Sequence, residues 1–285
     1  MEILITGGLG YVGSRISSTL KSQHNIYICD LKQTNGRFRD FDTVDISEFD
    51  VIIHLAAHSS VKACKSDPNG AWDNNYIKFQ RLIHKISPQQ LLIHASSASV
   101  YGKSPGRSSE SQDLKPPNNS YDLTKIAADI IVENTVSKNR VISLRFGTVA
   151  GASSKMRFDT VLNSMVFSAT NSGLIYANNP ETKRSLLFLS DLESALDLIL
   201  KTPFLEIKSG IYNLASIDTS IGEIATQVHN NFRDIELRLD SVEDSDYDFH
   251  LNCEKFLKFF GEFRVTTLNE VVTELRKVCE AKKDD

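Results

Sequence analysis

Cysteine is scarce in this chain. Cys29, Cys64, Cys253 and Cys279 are scattered over 285 residues, with no Cys-x-x-Cys pair and no Cys/His spacing. That pattern argues against a disulfide framework and a thiolate metal site, and reads as reduced, mostly structural thiols in a reducing compartment. Long apolar runs are also missing, and none approaches the length needed to span a bilayer. The first strand begins at residue 2 and leaves no room for a signal peptide, so a soluble, cytoplasmic protein with no membrane partner is expected. Excess positive charge is lacking too: 32 Lys and Arg stand against 36 Asp and Glu, a net charge of −4. The basic residues form no stripe and do not interleave with aromatics, so a nucleic-acid partner is not expected. Nothing repeats at a fixed period, and no segment is of low complexity.

What is present is a hydrophobic content of 41%, enough to bury a full core in one large α/β unit with a smaller lobe. Short apolar runs at 2–6, 25–30, 51–57, 91–97 and 141–146 read as buried strands. Between them, helical patterns follow Gly10, run from Pro68 to about Ile86, and run from about Ser120 to Lys138. Strands alternating with helices specify a doubly wound parallel sheet. The Ser/Pro/Gly/Asn-rich stretch up to Asn119 reads as loop. Beyond Gly151 the order becomes irregular, with helices near 157–170, 191–200, 219–232 and 267–281 and strands at 186–189 and 211–214. The expected division is a dinucleotide-binding domain over 1–150 with a returning segment at 184–202, and a substrate lobe made of 151–183 and 203–285.

The first turn carries the sharpest signal. Glu2-Ile3-Leu4-Ile5-Thr6 is cut off by Gly7-Gly8, and Gly10 and Gly13 follow before an apolar helical face that includes Tyr11, Val12 and Ile16. Glycine lets the backbone come close to a ligand, and the following helix N-terminus points N–H groups at whatever sits above the turn. In a strand–turn–helix unit that occupant is the pyrophosphate of a dinucleotide. Asp30, seventeen residues past Gly13, closes the second strand where a carboxylate accepts from an adenosine ribose. A carboxylate there repels a 2′-phosphate, which points to NAD rather than NADP.

Tyr121 and Lys125 are four apart on a helix and share a face. A cation beside a phenol favours the phenolate, so the tyrosine can serve as a general base near neutral pH. The helix follows a strand that ends in Ala95-Ser96-Ser97-Ala98-Ser99-Val100-Tyr101-Gly102, whose hydroxyls could hydrogen-bond a substrate oxygen. Taken singly, each of these features is also an ordinary solvated helix face or a Ser-rich turn.

Together, the turn GGLGYVG, the acid of ICD, the strand HLAA, the turn SSASVYG, the helix YDLTK and the strand RSLLFLSD stand in the order found in one family. The chain resembles the extended short-chain dehydrogenase/reductases that act on nucleotide-sugars, the epimerase/dehydratase group, over nearly its whole length. The resemblance implies a Rossmann fold, NAD as cofactor, a nucleotide-sugar substrate and a homodimer. Tyr121 would be the catalytic base, Lys125 would hold the nicotinamide ribose, and Ser97 would be the catalytic hydroxyl with Ser99 beside it at the substrate. Asp45 and Ile46 would flank the adenine, and Leu55, Ala56 and Ala57 the cofactor. Asn75 would support the cofactor site, and Thr148 and Arg184 would contact the substrate, Arg184 through its diphosphate.

Two departures from the family pattern stand out. Tyr76-Ile77-Lys78-Phe79 replaces the usual Val-x-Gly-Thr, so packing under the cofactor should differ. Thr148 stands in the position of the family's substrate-binding asparagine. The expected reaction is epimerisation at C4 through a transient 4-ketosugar. A 4-dehydrogenase or 4-ketoreductase is the next reading, and a non-catalytic dinucleotide sensor the third. A 4,6-dehydratase is disfavoured because the Asp-Glu pair that such enzymes carry after the catalytic hydroxyl is here Ala98-Ser99.

Overall fold

The computed structural model describes residues 1–32, 39–135, 139–241 and 245–281. Two compact units emerge from it. The first contains Met1–Val100, Asp113–Arg145 and Leu200–Tyr212, and the second Tyr101–Gln112, Phe146–Ile199 and Asn213–Asp285.

The first unit is built on a six-stranded sheet in the order Gly210–Leu214, Arg140–Phe146, Leu91–Ser97, Val51–His54, Glu2–Thr6, Asn25–Cys29. Glu2–Thr6 runs parallel to both its neighbours, and Val51–His54 runs parallel to Leu91–Ser97. These strands are apolar almost throughout because helices cover both faces: Ile3, Leu4, Ile5, Ile52, Ile53 and Leu92 are all fully buried. The chain passes from the first strand to one side and then returns to build the other. The glycine turn therefore lies at the switch point where ligands of such sheets bind.

The helix expected from Pro68 is three pieces. An α-helical start at Pro68–Trp72, with Asp67 capping the Gly70 N–H at 2.9 Å, leads into a π-helical turn at Asp73–Ile77 and a final α-helix at Lys78–Lys85. The helix Ser120–Thr135 buries Ala128 and Val132 in a core with Leu82, Ile83 and Val141.

In the second unit Ile217–Ser220, Lys183–Phe188 and Thr148–Ala150 form a three-stranded sheet. Leu174–Asn178 pairs with Glu236–Asp240, and Lys103–Ser108 with Asp248–Leu251. The last pairing corrects the loop expected before Asn119; Pro105 and Gly106 hide the strand from any periodicity argument. Helices Val161–Ser172, Ile221–Asn230 and Leu268–Ala281 enclose Leu162, Val166, Ile175, Ile224, Val272 and Leu275. The returning segment also differs from expectation. Lys183–Phe188 pairs inside the second unit, and it is 200–212 that goes back to the first, ending in an edge strand of the large sheet. Among the described residues no helix is long and apolar enough to cross a membrane.

Candidate active site

The glycine turn is closed by contact with its neighbours. Gly7 has φ +71°, and a Cβ there would lie 2.8 Å from the Ala56 backbone nitrogen. A Cβ on Gly13 would fall on the Gly7 carbonyl oxygen. Gly10 begins the helix Tyr11–Leu20 without a side-chain cap, and the first turn, with Tyr11 and Val12, holds no acid. The positive end of the helix dipole therefore faces the turn unneutralised by its own side chains.

Asp30 stands directly over this turn. Its Oδ2 accepts the Leu9 N–H at 3.0 Å and its Oδ1 the Lys32 N–H at 2.9 Å. Two amides thus fix the carboxylate and leave lone pairs for a diol. On the next strand, Thr6 Oγ1 is hydrogen-bonded to His54 Nδ1 at 2.8 Å and accepts the Ala56 N–H at 3.3 Å, which sets the path of Leu55, Ala56 and Ala57. Asp45 is exposed and accepts the Ser47 N–H at 3.0 Å, whereas Ile46 is buried, its carbonyl accepting from Gln90 Nε2 at 2.6 Å. A cradle that any Cβ would fill, an open helix N-terminus and a fixed carboxylate together fit a dinucleotide.

Lys125 is 4% exposed, and its Nζ donates to the Ala95 carbonyl at 2.7 Å, two residues before Ser97 on the same strand. Burial pulls its pKa down to about 8, with Asp129 and Cys64 opposing. Its ammonium lies 5.9 Å from the centroid of the Tyr121 ring. Ser97 Oγ donates to Ser99 Oγ at 3.0 Å and accepts the Ser99 N–H at 3.2 Å. The Lys125–Ala95 bond thus ties the helix of Tyr121 and Lys125 to the strand that ends in Ser97.

Under this group lies a stack of rings. Phe79 packs on His94 with centroids 4.1 Å apart and on His54 at 5.3 Å. Here the departure at Tyr76-Ile77-Lys78-Phe79 takes physical form. Burial, with Lys125 nearby, holds His54 down to about 3 and His94 well below the usual imidazole range. Both rings are neutral, and among the described residues neither nitrogen of His94 has a hydrogen-bond partner.

In the second unit Arg184 sits on Lys183–Phe188, and Thr148 on the adjacent parallel strand, where it pairs with Leu186. The Arg184 guanidinium donates to the Lys183 and Tyr247 carbonyls and, at 3.2 Å, to Ser245 Oγ. Burial lowers its pKa. It lines a cavity of about 320 Å³ together with Val161, Met165, Tyr176, Asn179 and Ser245. The sequence reading missed these last five. Tyr176 and Asn179 stand near Arg184 in sequence, but Ser245 is brought in by a distant segment that carries no motif.

A parallel doubly wound sheet with a glycine turn, an acid on the second strand and a Ser/Tyr/Lys set defines a dinucleotide-dependent protein of the short-chain dehydrogenase type. The profile of the NAD dependent epimerase/dehydratase family matches residues 3–215, and the chain belongs to that family. NAD is thus the cofactor. A UDP-glucose 4-epimerase from Mycoplasma genitalium is 32% identical across 53% of this chain and 53% of its own length. The chain spans about half the length of the curated relatives it matches. Among solved structures, UDP-glucuronic acid 4-epimerase from Bacillus cereus, in complex with UDP-glucuronic acid and NAD, superposes with a TM-score of 0.84 at 19% identity, covering 99% of this chain and 100% of that one. L-threonine dehydrogenase from Phytophthora infestans gives 0.86 at 18% identity, covering 99% and 100%. At such identities the likeness is one of fold.

Proposed function

We propose that this chain is an NAD-dependent nucleotide-sugar epimerase, acting at C4 and taking UDP-sugars first among nucleotide-sugars. The observation that carries the reading is the buried Lys125 tied to Ala95, with Ser97 two residues along the strand and Tyr121 one helical turn away. Gly7, Gly10, Gly13, Asp30, the 55–57 segment and Lys125 would hold NAD, which when bound supplies the acceptor and donor of hydride. Tyr121 takes the proton from the sugar hydroxyl and later returns one. Ser97 holds that oxygen, and Lys125 supplies the positive charge that favours the phenolate. Arg184 suits a diphosphate because a guanidinium offers paired donors, and Thr148 supplies a hydroxyl in the same sheet. The 4-epimerase names of the relatives support the choice of carbon. Ala98 and Ser99 argue against elimination, since neither carries the carboxylate that a C5 deprotonation needs.

Exposed Leu123 and Ile130, seven apart on the helix of Tyr121, support a homodimer through that helix. Calorimetry with NAD and NADP tests the cofactor reading: tighter binding of NAD is expected from Asp30. Turnover tests the reaction, with UDP-, GDP-, CDP- and dTDP-sugars offered and the product sugar read by NMR. A sugar inverted at C4 is expected. Net accumulation of a 4-ketosugar with reduced cofactor would favour the dehydrogenase reading instead.

A further inference from the structure

Asn75 lies in the π-helical turn Asp73–Ile77 and is 3% exposed. Ala71, Asn75 and Phe79, four apart, are the buried positions of this stretch, so the π-helical turn carries Asn75 on the inner face. Its amide is committed to protein groups. Oδ1 accepts the His58 N–H at 2.8 Å, and Nδ2 donates to the His58 carbonyl at 3.2 Å and to Thr124 Oγ1 at 3.1 Å. Thr124, 1% exposed, donates onward from Oγ1 to the Tyr121 carbonyl at 2.8 Å. Both Asn75 amide protons are therefore used, which gives this residue a supporting part rather than a direct hold on a ligand. A buried hydroxyl with no partner is destabilising, and valine would fill the same space without that demand. Thr124 is thus best explained by its bonds on both sides.

The result is a buried line of bonds from the segment after Val51–His54 to the first turn of the helix that carries Tyr121 and Lys125. We propose that Asn75 and Thr124 are a positioning pair that fixes Tyr121 against the 55–58 segment. The inference rests on the reading of Tyr121 as the base and of that segment as cofactor-flanking. Neither residue transfers a proton; each acts through the backbone of Tyr121.

The test uses the full chain, with ¹⁵N-labelled asparagine and ¹³C-labelled tyrosine, as wild type, Thr124→Val and Thr124→Ser. In the wild type without ligand, the Asn75 side-chain protons should exchange slowly. Thr124→Val should speed that exchange and move the Tyr121 ring resonance, and Thr124→Ser should leave both near wild type. With a nucleotide-sugar that turns over, Thr124→Val should lower kcat about tenfold or more while KM and the Kd for NAD stay within about twofold, because a displacement on the order of 1 Å costs up to about 10²-fold in rate. Thr124→Ser should restore most of kcat. Fast exchange of the Asn75 amide in the wild type, an unmoved Tyr121 resonance in Thr124→Val, or no rescue by serine would each overturn the proposal. If no nucleotide-sugar turns over, the substrate reading fails, while the exchange and Tyr121 measurements still decide the clamp. Should Thr124→Val not fold, Thr124→Ala removes the same hydroxyl and is judged by the same criteria.

Discussion

The two units hold their cations in opposite ways, Lys125 buried and Arg184 half-buried. In the first, Lys125 is sealed in, bonded to one carbonyl, and stands four residues before Asp129, which is itself closed off by Arg145 at 2.8 Å and Ser143 at 2.9 Å. In the second, Arg184 borders an open cavity and, among the described residues, bonds only neutral oxygens. Fixing a cation in a low-dielectric site tunes a neighbouring group, whereas bordering open space lets a cation meet a ligand's charge. Chemistry and recognition are therefore expected to separate under mutation.

Tyr121→Phe should show the separation most strongly. Turnover should fall by about 10²–10⁴-fold, as for the loss of a general base, with the Kd for NAD nearly unchanged by calorimetry. Arg184→Ala should do the reverse. Loss of a charge-assisted contact worth about 1.5–3 kcal/mol weakens nucleotide-sugar binding by roughly 10–150-fold while NAD binding holds. Equal loss of both ligands would mean that Arg184, through Tyr247 and Ser245, serves folding instead.

Lys125→Met probes the same contrast through stability. The lysine's folded pKa of about 8 lies below its ordinary 10.5, so the folded state resists the charge and stability rises with pH between those values. The variant should lack this rise. Roughly 3 kcal/mol of relieved burial is set against about 1.5–3 kcal/mol for the lost charge-assisted hydrogen bond, so the variant fares best against the wild type below pH 8 and loses ground as pH approaches 10.5. Thermal melts across pH 6 to 10 on the apo protein measure this, and a stability difference that stays constant from pH 8 to 10 would contradict it.

The histidine stack shows the same pH sense in a lower window. His54 and His94 both titrate below the usual 6.5, so the unfolded chain takes up protons that the folded one refuses. Stability should be full above pH 6.5 and fall as pH drops, at up to about 1.4 kcal/mol per pH unit for each ring, with the His54 part exhausted near pH 3. His94→Phe should roughly halve that slope, measured by denaturant unfolding between pH 4 and 7.

The contrast between the units extends to what could be read from the chain. Strand, glycine turn and helix in the first unit are local patterns, and the apolar runs at 2–6, 51–54 and 91–97 declare themselves without knowledge of their partners. The π-helical turn at Asp73–Ile77 did not, because one extra residue per turn leaves the apolar spacing helical. In the second unit the elements depend on distant pairing. Glu236–Asp240, ELRLD, lies almost wholly exposed beside Leu174–Asn178, and Lys103–Ser108 finds its partner about 145 residues later. The cavity wall shares this origin. Arg184 was visible in a motif, but Ser245 and Tyr247 reach it only because Asp248–Leu251 pairs where it does. Thr124 was visible within YDLTK, yet only the bond from Asn75 gives its hydroxyl a second role.

The central claim, that Ser97, Tyr121 and Lys125 invert a nucleotide-sugar, is tested most directly by incubating the NAD-loaded protein with UDP-sugars and following the sugar by NMR, in ordinary water and in D₂O. The account predicts a product inverted at C4 that reaches the same mixture from either epimer, without deuterium at C5 and with no product from Tyr121→Phe. A 4-keto-6-deoxy sugar, or deuterium entering C5, would contradict it.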